Sequence, residues 1–291
     1  MDIRRARFSA LIAALLFSTG GAAIKVAAFS APQVSMLRSG IAACVLYGWY
    51  RRHLRWTAWT PAVGLVYAAT LTLFVAATKL TTAANAIFLQ STAPIYIALF
   101  GPWLLRERTT RKDVAYLTAL GAGMGLCFVG RNSPTSTASD PATGNLLAVA
   151  SGCAWALTLI ALRHLNGRPL NPRASPKGTG ESGLAAVVAG NAMACLIAVP
   201  WSLPLPQADA AEWATIVYLG VVQIGLAYVC LTAAMRRLPA LEISLLLLIE
   251  PVLNPCWTWL VHGERPESWT LAGGAVILGA TALRTVTSKA E

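Results

Sequence analysis

The stretch LEISLLLLIEPVLNPCWTWLVHGER, residues 241–265, decides how this chain is read. An apolar run carries a glutamate beside a proline, Glu250-Pro251, and stops at Gly263-Glu264-Arg265. Upstream, ANAIFLQSTAPIYIALFGPWLLRER at residues 84–108 repeats its plan. Leu89, Pro94, Glu107 and Arg108 recur as Leu246, Pro251, Glu264 and Arg265, so one spacing from proline to Glu-Arg serves both copies. That shared register marks an internal duplication. Two halves that each carry a proline-broken apolar helix are the pattern of a secondary transporter, which binds its cargo where such helices are interrupted.

Composition agrees. Of 291 residues, 56% are hydrophobic and 12% charged, against about 25% charged in a soluble domain. Such a chain cannot cover a globule with polar surface, and its apolar runs of about 20 residues have the length that crosses a bilayer. The expected class is an all-α integral membrane protein; a β-barrel would show short alternating segments instead. The net charge of +11 reads as membrane topology rather than nucleic-acid binding, because Lys and Arg collect in cytoplasmic loops. The six cysteines fall inside apolar runs without a CxxC pair, and His53, His164 and His262 stand at helix ends. Neither pattern supplies a metal site or a disulfide framework.

Ten spans are expected, over 8–28, 32–50, 60–79, 82–105, 112–130, 143–163, 183–203, 212–235, 239–261 and 267–284. The first run outlasts a signal-peptide core and is read as a span. RNSPTSTASDPAT, residues 131–143, is the linker between halves. With a cytoplasmic N-terminus, of the 23 lysines and arginines only Lys79, Arg131 and Arg265 fall in outer loops, while Lys25 and Arg38 lie within spans. The positive-inside rule therefore places both termini in the cytoplasm. Five spans per half invert the second copy, so the expectation is two inverted five-helix repeats, 1–134 and 135–291, around a central cavity.

The order of these features resembles the EamA-type branch of the drug/metabolite transporter superfamily. The resemblance rests on the five-plus-five spans, the alanine-rich TTAANA opening of the fourth, the mid-helix proline and the Glu-Arg at that helix's end. An aromatic-rich first helix per half, ending in Lys25 or Arg163, fits as well. Within the superfamily the chain looks like the bacterial exporters of aromatic amino acids and metabolites. The resemblance covers essentially the whole chain. It implies a basket-like bundle in the bacterial inner membrane, efflux from the cytoplasm, and a cavity tryptophan at Trp155. The second copy departs from the pattern, its Glu-Arg following His262-Gly263 and preceding Pro266.

The residues themselves nominate a cavity. Pro94 would free the carbonyl of Gln90 and Pro251 that of Leu247, and freed carbonyls in hydrocarbon must find partners or line water. Tyr67, Phe74, Phe88, Tyr96, Trp155 and Tyr228 lie within spans. Phe74, Phe88, Trp155 and Tyr228, with the polar Gln90, Ser91 and Asn191, would suit a small zwitterion; lipid-facing or packing roles are the alternative for each. Glu250 lies about 16 Å deep at 1.5 Å per residue, near mid-bilayer. It is a proton-coupling group, a contact for a substrate ammonium, or the partner of Arg38, which lies at nearly matching depth. Lys25 and Lys79 either snorkel to the headgroups or hold an anion in an outer vestibule. Gly121 and Gly125 form a GxxxG pair suited to close helix approach.

These observations point to a transporter that exports amino acids, aromatic and other neutral ones, or related small metabolites by alternating access. An exchanger of phosphorylated or nucleotide-linked sugars is the alternative, and would want paired basic residues in the cavity. An intramembrane enzyme is the remote one, and would want a catalytic constellation at depth. No nucleotide-binding motif, cofactor or nucleic-acid partner is expected. The lipid bilayer and the small-molecule cargo are the expected partners. A monomer is expected, with a dimer as the alternative.

Overall fold

The computed structural model describes residues 3–93, 95–96, 111–129, 135–165, 180–235, 238 and 246–287. In the first half it forms α1 (Ile3–Ser18), α2 (Gly20–Val26), α3 (Ala31–Tyr50), α4 (Thr60–Leu80), α5 (Ala83–Gln90) and α6 (Arg111–Val129). The second half forms α7 (Pro141–Leu165), α8 (Gly180–Ala198), α9 (Ala210–Val217), a π-helical segment (Tyr218–Leu226), α10 (Ala227–Met235), α11 (Ile249–His262) and α12 (Ser268–Thr287). Among the described residues there is no strand, and five helical stretches are long and apolar enough to cross a membrane: Ile3–Val26, Thr60–Leu80, Pro141–Leu162, Ser182–Trp201 and Ala210–Ala234. Ala115–Val129 and Ser268–Leu283 are shorter apolar helices. Pro94, Pro102, Glu107-Arg108, Arg131, Arg236 and Arg237 lie outside the described residues.

Helix starts follow from local chemistry. Ser30 and Gln33 close a reciprocal capping box on α3, with Pro32 in the first turn, and Asp209 and Glu212 do the same for α9. Thr82 accepts the Asn85 amide at the start of α5. Asp140 accepts the Thr143 amide at the start of α7, and this bonding to Thr143 holds its carboxyl below the usual range. At the other end of α11, Gly263 takes a left-handed φ of +66°, which a side chain would disfavour. The turn it makes delivers Glu264.

The interruptions fall where the prolines dictate, with one refinement. α5 stops at Gln90 and the chain turns at Ser91-Thr92, just ahead of residue 94; in the second half the turn is at Leu248, ahead of Pro251. Pro251 thus occupies the first turn of α11, where a missing N–H is tolerated, and Pro255 is the proline inside the helix. The eighth stretch is not a uniform α-helix, since it rewinds as a π-helix over nine residues. The first is broken at Thr19, where Ser18 and Thr19 hydroxyls bond back to Leu15 and Leu16 carbonyls.

Contacts between the halves map onto themselves when the halves are exchanged. α4 on α7 is matched by α1 on α10, α4 on α8 by the π segment on α3, and α5 on α7 by α11 on α1 and α2; α3 with α8, α5 with α11 and α6 with α12 are self-matched. The tightest self-matched crossing corrects the glycine reading. Gly121 and Gly125 face open space, whereas a Cβ on Gly123 would lie 2.9 Å from the Gly273 carbonyl, and one on Gly273 2.5 Å from the Gly123 carbonyl. The six cysteines are free, with Cys44 and Cys256 exposed. Trp49, Trp56, Trp59, Trp201, Trp213 and Trp269 are all exposed.

Candidate functional site

A knot of buried polar side chains lies inside the bundle. Arg38 on α3 is 1% exposed, and the Nε and Nη2 of its guanidinium have no hydrogen-bond partner among the described residues. It faces the Tyr67 and Tyr228 side chains. Those two rings pack edge to face at 5.5 Å, and Phe17 packs on Tyr228 at 5.2 Å. The Tyr67 hydroxyl lies beside Tyr228 and Asn191 without a well-formed hydrogen bond. Asn191 donates to the Val187 carbonyl at 3.0 Å, and its own side-chain oxygen is left without a donor. Glu250, half-buried at the start of α11, also lies near Tyr228. Arg38, Asn191, Tyr228 and Glu250, nominated separately from the sequence, are therefore neighbours through Tyr67 and Tyr228. Arg38 and Glu250 do not form an ion pair.

Glycines set this geometry. α4 and α8 cross at Gly64 and Gly190, where a Cβ on Gly190 would lie 2.5 Å from Tyr67 Cδ1 and 2.6 Å from the Gly64 carbonyl. Gly220 in the π segment lets that backbone close on Ile41 and the Arg38 carbonyl. Gly20 and Gly21, just past the break in the first helix, receive the amides of Gln223 and Asn254. Both amides are buried with unpaired atoms, as is the Ser39 hydroxyl. Tyr67, Gln223 and Asn254 were not nominated. The amides carried a readable signal, being polar groups deep in apolar runs; Tyr67 carried none that separates it from a packing aromatic.

The remaining candidates lie elsewhere. Gln90 donates to the Ser151 hydroxyl at 2.8 Å, Ser151 donates to the Thr70 carbonyl, and Ser91 bonds back to Ile87. α7 approaches α5 there, with Gly152 against the Leu89 and Gln90 carbonyls. Trp155 is half-buried on α7, one helical turn beyond Ser151. Phe88 is packed against Gly274 of α12, and Phe74 is half-buried between two apolar clusters. Pro251 is buried in α11, and Pro94 lies outside the described residues. A mainly apolar groove of about 440 Å³, lined among others by Thr19, Tyr218 and Trp257, opens beside the helix-1 break rather than at Arg38.

Lys25 and Lys79 do not snorkel. Lys25 pairs with Glu264 at 2.9 Å, with side chains 4% and 6% exposed. Its ammonium also donates to the carbonyls of Thr81 and Thr137. The other Glu264 oxygen accepts the Ala83 amide at 2.7 Å, a charge-assisted bond at a helix N-terminus. Lys79 donates to the Ala27 carbonyl at 2.5 Å. Below this knot α11 is laced to the first helix, Trp257 donating to Ser18 and the His262 ring meeting the Ala22 carbonyl at 3.1 Å. Beside it, Thr81 and Asn85 both donate to Asn145, and Thr270 donates to Asn85. Glu264 was read only as part of a turn; its role depends on four separate chain segments meeting, which no spacing discloses.

The sequence model of the EamA-like transporter family matches residues 4–129 and 142–286. The pseudopaline exporter CntI of Pseudomonas aeruginosa strain UCBPP-PA14 is 27% identical over 280 residues, covering 92% of each chain. Its counterpart in strain PAO1 is 26% identical over the same share. A solved crystal structure aligns with a TM-score of 0.65 over 98% of this chain and 97% of its own, at 22% identity, which establishes a likeness of fold.

Proposed function

Because the chain belongs to the EamA-like transporter family, a family of multi-pass membrane proteins, we propose that it is a secondary active transporter exporting amino acids, aromatic and other neutral ones, or related small metabolites. The observation that carries this reading is the cluster of Arg38, Tyr67, Asn191, Tyr228 and Glu250 inside the helical bundle, in which Arg38 and Glu250 stand unpaired with each other. Ionisable groups at membrane depth are costly and are kept where cargo or ions pass. An arginine and a glutamate that stand near one another without pairing suit a cargo with both a negative and a positive group. The repeats 1–134 and 135–291 are inverted, with both termini cytoplasmic in the inner membrane, and exchange conformation around this cluster. The self-matching contacts between halves support that reading. Transport of this kind needs no cofactor and no covalent chemistry, so the protein acts as a carrier and not as an enzyme, and we take it as a monomer.

Export of pseudopaline or a compound like it is a second reading, favoured by likeness to the two exporters over 92% of each chain. Purified protein in proteoliposomes, tested for uptake of labelled amino acids, pseudopaline and sugar phosphates with and without a pH gradient, separates these. Uptake of neutral amino acids is the expected result. Movement of sugar phosphates with none of amino acids or pseudopaline overturns the proposal.

A further inference from the structure

Arg38 presents a problem that the fold does not solve. A guanidinium has five N–H donors in a rigid planar fork and stays charged. Burying such an ion costs several kcal/mol unless a partner compensates. Yet Arg38 is 1% exposed, Nε and Nη2 donate to nothing among the described residues, and Glu250 is not its counter-ion. The Tyr67 and Tyr228 side chains face it. The Tyr67 hydroxyl is itself unpartnered.

We propose that Arg38 is the receptor for a carboxylate on the cargo, the fork binding two oxygens while the Tyr67 hydroxyl donates a further hydrogen bond. This deepens the export reading and rests on it. A carboxylate matches a guanidinium bidentately, and the unpaired donors are then satisfied only in the loaded carrier. Glu250, near Tyr228, is left for a cationic group of the same cargo, so an amino acid or an amino-polycarboxylate fits whereas a plain amine does not.

The test uses full-length protein in detergent. Thermal shift and calorimetric titration are run with monocarboxylates from acetate to 3-phenylpropionate, with L-phenylalanine, and with the corresponding amides. In the wild type, carboxylates are expected to bind at least about tenfold better than their amides, the scale of one hydrogen bond to a charged group. Arg38→Met should erase that preference, and Arg38→Lys should keep part of it. Without ligand, Arg38→Met should melt no earlier than wild type, because it removes an uncompensated buried charge. No carboxylate in the panel outbinding its amide, or Arg38→Met melting well below wild type, overturns the proposal. Failure of the export reading is distinct: carboxylates then discriminate in binding while no labelled amino acid crosses the proteoliposome membrane.

Discussion

Glu250 and Arg38 both lie near Tyr228 without pairing with each other. Depth along their helices made them natural partners, yet Nε and Nη2 of the guanidinium meet no acceptor among the described residues. Paired, they would neutralise each other; unpaired, they suit the two poles of the proposed cargo. Glu250→Gln keeps size and hydrogen-bonding capacity while removing the charge. It should weaken L-phenylalanine binding by about tenfold and leave 3-phenylpropionate, which lacks the ammonium, unchanged; competition titrations read both. An equal loss for the two ligands would assign Glu250 a structural role instead.

Elements in this chain are shaped by what their backbones cannot do. The turns at Ser91-Thr92 and at Leu248 lie in matching register ahead of the two prolines, as expected when an absent N–H leaves a carbonyl unclaimed. These breaks were legible in the sequence because their cause is local, and so were the apolar runs. The glycine contacts were not. Gly121 and Gly125 have the familiar spacing, but Gly123 is the residue turned toward α12, and only the rotation of the packed helix decides which face meets a neighbour. Leucine at Gly123 or Gly273 should lower the melting midpoint in detergent, overpacking costing about 1–3 kcal/mol or more. Leucine at Gly121 or Gly125 should leave it in place. Comparable losses at all four positions would mean that the α6–α12 crossing is not as close as described. The π segment was equally hidden, since nothing in YLGVVQIGL distinguishes five-residue from four-residue bonding until Gly220 meets α3.

At the scale of the whole molecule, Lys25, Glu264 and the backbone groups of Thr81, Ala83 and Thr137 tie four chain segments together. The carbonyls and the amide are fixed, so the ion pair is the part a substitution can unlock. Removing one partner strands the other charge at a cost of about 3–5 kcal/mol, which favours an arrangement where this knot is wet. Glu264→Gln should therefore raise the reactivity of Thr81→Cys toward a membrane-impermeant maleimide, in a background with the native cysteines replaced. Adding Lys25→Met should restore protection. Unchanged labelling in Glu264→Gln would show that the backbone bonds alone hold the four segments together. The sequence disclosed the charges but not this knot, because its members come from four segments that only the folded bundle gathers.

That gathering also has an order in time. The ribosome releases Lys25, then Thr81 and Ala83, then Thr137, and Glu264 long after the rest. Until Glu264 arrives, the ammonium has carbonyl oxygens for company and no neutralising charge, so the first half is made with an unmet demand at its rim. The same carboxylate that satisfies it also takes the Ala83 amide. One late residue thus completes contacts begun by two early ones.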